Sequence, residues 1–159
     1  MTGGNTVIRK IGVILLAVVF LGSMAWTPVY DPVHAAVKAA NTRPTSEADY
    51  AKSMKSKAGT FNASYTSDPE AIAANKLITW KLKVETADGK AVKDAEITVA
   101  GDMPEHGHGM PTEPKVKNKG DGTYLVEGIK FSMTGWWTMT FTIKAGDKTD
   151  SVTFNLQLK

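Results

Sequence analysis

Between Thr60 and Leu158 the chain alternates apolar and polar side chains with a period of two. Ile78, Trp80, Leu82 and Val84 share one side of such a row, with Thr79, Lys81, Lys83 and Glu85 on the other. This pattern predicts a half-buried strand, because successive side chains of an extended backbone point to opposite faces. The same rule predicts strands through Phe61, Ala63 and Tyr65, and through Ala95, Ile97 and Val99. Further along, Trp137, Met139, Phe141 and Ile143 face inward, against Trp136, Thr138, Thr140 and Thr142 outward. A last strand turns Val152, Phe154, Leu156 and Leu158 to the core. Between these rows, Lys115–Lys119 reads as a short exposed strand. Tyr124–Glu127 and Ile129–Met133 follow it, with Gly128 marking a bulge or bend.

Turn residues separate the rows: Asp88-Gly89, Gly120-Asp121-Gly122 and Ala145-Gly146-Asp147. About seven short strands at intervals of roughly 8–12 residues, with no long helical period, predict an all-β fold. The architecture expected is an immunoglobulin-like antiparallel β-sandwich, with Trp80 and Met139 in its core.

Upstream the pattern changes. Arg9 and Lys10 precede an apolar run from Ile11 to Trp26, broken only by Gly12, Gly22 and Ser23. A basic segment followed by an apolar one is the plan of a secretory signal. The run of about sixteen residues is shorter than the ~20 a spanning helix prefers, and Pro28 and Pro32 stop any helix. Cleavage after Val33-His34-Ala35 satisfies the small-residue rule, as does a cut after Ser23-Met24-Ala25. The expected domains are a signal peptide or membrane anchor over 1–35, a polar linker over 36–58, and the β-sandwich over 59–159. One helical turn is expected in the linker, around Glu47–Met54. If uncleaved, residues 7–27 tether the protein to the membrane with Arg9 and Lys10 in the cytoplasm. In either case the working part is exported, to the periplasm or the cell surface.

Composition narrows the chemistry. A formal net charge of +3 over 159 residues, evenly spread, gives no footing for nucleic acid. Lys115, Lys117 and Lys119 form one solvated strand face. The absence of cysteine removes disulfides, thiolate zinc sites, iron–sulfur clusters and the thiolate-dependent blue-copper centre. There is no Gly-x-Ser-x-Gly and no phosphate loop ending in Gly-Lys-Ser/Thr, so no enzyme activity is expected.

One stretch concentrates ligand chemistry: Met103-Pro104-Glu105-His106-Gly107-His108-Gly109-Met110-Pro111. Two of the three histidines and two of the seven methionines fall within eight consecutive positions. Imidazole nitrogen and thioether sulfur suit copper, the sulfur favouring Cu(I). If the loop is extended, His106, His108 and Met110 point to one side, and Met103 can fold back across Pro104 as a fourth donor. The corner Phe131-Ser132-Met133-Thr134-Gly135-Trp136-Trp137 can close over the loop, with Met133 donating sulfur and Trp136 shielding the site. The same residues also fit a Gly/Pro-rich connection whose histidines bond to strand backbones and whose methionines fill the core. Zinc, using His106 and His108 with Asp102, Glu105 or Glu113, is the weaker metal alternative, because methionine adds nothing to it.

The segment from Leu77 to Leu158 resembles the YtkA-like domain family, near the FixH-type proteins. The resemblance rests on Asp88-Gly89-Lys90-Ala91-Val92, on Met103 to Thr112, on Gly122-Thr123-Tyr124 and on Phe131 to Trp137. It implies an immunoglobulin-like β-sandwich outside the cytoplasm, of a kind suspected of handling copper. Met103, His106, His108 and Met110 stand at the positions of its first motif, and Met133 in the second.

The functional expectation is an exported copper-binding protein, a carrier, buffer or assembly factor that takes one copper ion. His106 and His108 would supply nitrogen, and Met110 with Met103 or Met133 would supply sulfur. With neutral ligands only, Cu(I) keeps its full positive charge, which favours reversible hand-over to a membrane or periplasmic copper-handling protein. The alternative is a metal-free extracytoplasmic adhesion or interaction module of the same fold.

Overall fold

Alternation in the chain becomes two antiparallel sheets in a computed structural model that describes residues 42–159. The leader and the start of the expected linker lie outside the described residues. Among the described residues, nine strands form: β1 (Ser53–Lys55), β2 (Phe61–Asp68), β3 (Leu77–Thr86), β4 (Glu96–Met103), β5 (His108–Gly109), β6 (Lys115–Asn118), β7 (Thr123–Lys130), β8 (Gly135–Ala145) and β9 (Lys148–Leu158). One sheet has the order β1-β2-β3-β7-β6 and the other β5-β4-β8-β9. No helix among the described residues is long and apolar enough to cross a membrane.

The inward rows meet as the alternation requires. Trp80 is fully buried, stacked on Tyr65 at 3.7 Å and 7° and flanked by Phe141 and Phe154. Burial pushes the Tyr65 hydroxyl up to about 12. Tyr124 ties the β7 row to the crossover between sheets: its hydroxyl donates to Val92 O at 2.7 Å and accepts from Ala95 N at 2.9 Å. Gly128 is the expected bulge. Ile78 pairs with Ile129 and Thr79 with Glu127, which leaves Gly128 between them at a φ of 86°. The stretches on either side of Gly128 therefore run on as one strand, β7.

Two strands go beyond the expected seven. β5 is only two residues long and pairs with the end of β4. β1 lies inside the segment expected as linker, pairing Met54 with Ala63 of β2. The same segment forms a 3-10 turn at Glu47–Tyr50, capped by the Ser46 hydroxyl, where a helical turn was expected. Polar composition hid these contacts, because they rest on backbone and side-chain hydrogen bonds and not on an apolar row. Asn155 Nδ2 donates to Asp49 O at 2.9 Å, and the Lys57 amide donates to Ser151 O at 2.7 Å. The buried Asp150 carboxylate accepts from the Ser56 hydroxyl at 2.6 Å and from the amides of Ala58, Thr60 and Ser151. Residues 42–58 are thus laid against the sandwich.

Candidate functional site

The His/Met stretch joins β4 to β5 at one end of the sandwich. Pro104 to Gly107 forms a tight turn in which the amides of His106 and Gly107 both donate to Met103 O at 2.9 Å. Gly107 closes the turn at a φ of 68°, a conformation that glycine adopts without steric cost. The fully extended loop is therefore replaced by a hairpin. Met103 pairs with His108 and Asp102 with Gly109, and the Met110 amide donates to Gly101 O at 3.0 Å. Only His108 and Met110 remain in one row, with His106 in the turn above it.

Both imidazoles are exposed, and their ring centroids stand 6.0 Å apart. His108 lies edge-on to Trp137 at 5.7 Å, and its Nδ1 is 3.1 Å from Gly109 O. A carbonyl oxygen only accepts, so that contact favours the neutral tautomer with its proton on Nδ1, in which Nε2 is the nitrogen available to a ligand. This is the arrangement by which a backbone carbonyl commonly orients a ligating histidine.

Met103 does not fold back over the turn. It is 1 % exposed, and a Cβ placed on Gly135 would lie 2.3 Å from its methyl carbon. The physical reason is register: Met103 continues the inward row of Ile97, Val99 and Gly101, so its side chain enters the core. Met110 is partly buried against that core. Met133 stands 38 % exposed on the Phe131–Trp137 corner and contributes inward through its carbonyl, which accepts from Trp137 Nε1 at 3.0 Å.

The two motifs meet, though through other residues than expected. Met103 rests on Gly135, and His108 rests on Trp137. Trp136, the residue expected to shield the site, is on the opposite face of β8, with its Nε1 donating to Asn155 Oδ1 at 3.0 Å. Alternation within one strand requires this, since Trp137 already faces inward. Two residues escaped the sequence reading. Met139, assigned only to the core, brings its sulfur against Gly101 beside the sulfur of Met110. Arg43, from the expected linker, forms an ion pair with Glu105 at the tip of the hairpin. Cross-strand proximity of this kind leaves no local signal.

Among the described residues, no three His, Asp or Glu side chains gather where they could hold one metal ion. Glu105 is engaged by Arg43. A zinc site built on His106, His108 and a carboxylate therefore lacks its third ligand, and the donor set at the hairpin is nitrogen with thioether sulfur. That set fits copper better than it fits zinc.

No curated protein matches the chain. Among solved structures it is similar to a copper-bound variant of FetP from uropathogenic Escherichia coli. That match has a TM-score of 0.46 and 10 % identity, and covers 69 % of this chain and 95 % of that one. It is also similar to a DUF4426 family protein from Pseudomonas aeruginosa, with a TM-score of 0.47 and 16 % identity over 63 % of this chain and 91 % of that one. The YtkA-like family matches residues 53–142, more than half of the sequence and all of the strands from β1 to β7. The chain belongs to the YtkA-like family.

Proposed function

We propose that this protein is an exported copper-binding protein whose ion is held at the β4–β5 hairpin, as a carrier, buffer or assembly factor. The reading is carried by the two exposed imidazoles, whose ring centroids stand 6.0 Å apart, with His108 oriented by Gly109 O at its Nδ1. That spacing is within the span of two imidazoles on one ion, given bonds of about 2 Å from each nitrogen. His106 and His108 supply nitrogen and Met110 supplies sulfur. The burial of Met103 gives it less scope as a donor, and Met133 is the accessible reserve. Copper bound here would be kept by neutral ligands at an open rim, which suits transfer to a membrane or periplasmic copper-handling protein. Export rests on the basic and apolar leader.

The test is titration of the full chain with Cu(I) and Cu(II), alongside the double variant His106→Ala/His108→Ala. The expected result is a single site whose affinity falls at least tenfold in the variant. Equal affinity in the two proteins would remove the hairpin histidines from the site.

One observation favours a second reading, a metal-free adhesion or interaction module. His108 is packed on Trp137 and bonded to its own strand, and the Met103 side chain turns inward. A chain that binds neither copper ion at micromolar protein would support that reading.

A further inference from the structure

Gly101 is buried in β4 and faces Met139 of β8 in register. A Cβ built on it would stand 2.7 Å from Met139 Sδ, 2.8 Å from Met110 Sδ and 2.7 Å from Met110 Cε. A side chain at 101 would force one of these flexible methionines aside, so its absence lets the thioethers of Met110, just beyond β5, and Met139, on β8, both lie against β4. The sulfurs belong to differently placed residues. Met139 is fully buried, whereas Met110 is partly exposed and forms one wall of a surface cleft of about 240 Å³. Gly101, Thr112 and Glu113 also line that cleft, and the Thr112 hydroxyl is buried there without a hydrogen-bond partner.

We infer that Met110 and Met139 form a two-thioether subsite for a soft monovalent cation of the Cu(I) class, with Gly101 letting the two side chains approach each other. Three observations point this way. Both sulfurs lie against Gly101, 2.7 and 2.8 Å from the position its Cβ would take, and so stand close to one another. Thioethers select soft cations and do not compete for hard ones. Met110 separates the buried sulfur from an open cleft, and its unbranched, flexible side chain can move to admit an ion while β5 stays paired. His108 stands two residues before Met110 in the same row, on the side of the exposed turn. An ion would then meet imidazole nitrogen at the rim and thioether sulfur beneath it. This assignment rests on the copper reading of the hairpin, and it replaces Met103 and Met133 as sulfur donors by Met139.

The test uses the full chain labelled with carbon-13 at the methionine methyl groups, with Ag(I) as a redox-inert soft probe. The expected result is that the Met110 and Met139 methyl resonances, assigned through M110L and M139L, shift together and saturate at one equivalent. M139L, which conserves volume, should keep its melting temperature within a few degrees and bind Ag(I) at least tenfold more weakly. Met103 or Met133 resonances shifting while those of Met110 and Met139 stay fixed would overturn the proposal, as would parental Ag(I) affinity in M139L. The His106→Ala/His108→Ala variant separates the two readings. If its methionine resonances still respond to Ag(I) with parental affinity, the thioether pair stands and the histidine assignment falls. If the parent binds through its histidines and no methionine resonance moves, the histidine assignment stands and the thioether pair falls.

Discussion

Met103 and His108 are paired directly across the β4–β5 hairpin, yet Met103 is sealed in the core at 1 % exposure while His108 is open to solvent. Paired residues project to the same face of a sheet, so burial here is decided by position. Met103 lies on the inner strand under Gly135, and His108 lies on the edge strand. Two potential ligands that face each other therefore have different work: one anchors the hairpin to the Phe131–Trp137 corner, the other presents a nitrogen.

Met103→Ala should accordingly cost stability, by about 2–5 kcal/mol for a buried methionine truncated in a packed core. Met103→Leu should melt close to the parent and bind copper equally well. Thermal unfolding followed by circular dichroism, with copper titration of the leucine variant, checks both outcomes. A large loss of affinity in Met103→Leu would return its sulfur to the site.

Trp137 reports on the hairpin because its indole meets the His108 ring at 5.7 Å. Cu(II) bound at His108 should quench its fluorescence strongly. Trp137→Phe should lose most of the quenching and His108→Ala should lose it nearly completely. Trp80 and Trp136, which serve other parts of the sandwich, should keep their emission in both.

Gly101→Ala should destabilise the domain by about 1–3 kcal/mol, the usual range for overpacking a core. The added methyl meets two sulfurs at once, and Met110 has more freedom to move aside than buried Met139 does. Differential scanning calorimetry measures the loss. A melting temperature at or above the parent's would mean that the sulfurs rearrange freely.

Asp150 gives the fold an acid limit. Burial alone would raise its pKa, but the Ser56 hydroxyl and the amides of Ala58, Ser151 and Thr60 hold it well below the ordinary 3.8. A carboxyl depressed in the folded state binds fewer protons there than in the unfolded chain. Its stabilisation is fully present above pH 3.8 and is lost as pH falls through the lower folded value. Asp150→Asn should lower the melting temperature at pH 7 by several degrees, through loss of charge-assisted hydrogen bonds each worth about 1.5–3 kcal/mol. It should also flatten the decline in stability below about pH 4. Melting curves from pH 2 to 7 test both effects.

The copy of the fold carried in the sequence is the alternation itself. Ile78, Trp80, Leu82 and Val84 can bury one face only if the backbone is extended, so the rows at β2, β3, β4, β8 and β9 are legible in the sequence. Gly128 was legible as a bulge because a glycine inside an apolar row has little else to do. The donor types at Met103–Met110 were equally plain, since they are a matter of composition within one short segment. Tertiary structure alone decided which donors share a place. Whether the hairpin turns at Pro104–Gly107 depends on β4 continuing to Met103, which sends that side chain into the core. The meeting of Met110 with Met139 depends on β4 lying between β5 and β8, a pairing across 29 positions of sequence with no local trace. The strand and turn within residues 42–58 were hidden for a related reason: they are held by hydrogen bonds to β2 and β9, and hydrogen-bond partners distant in sequence leave no periodicity to read.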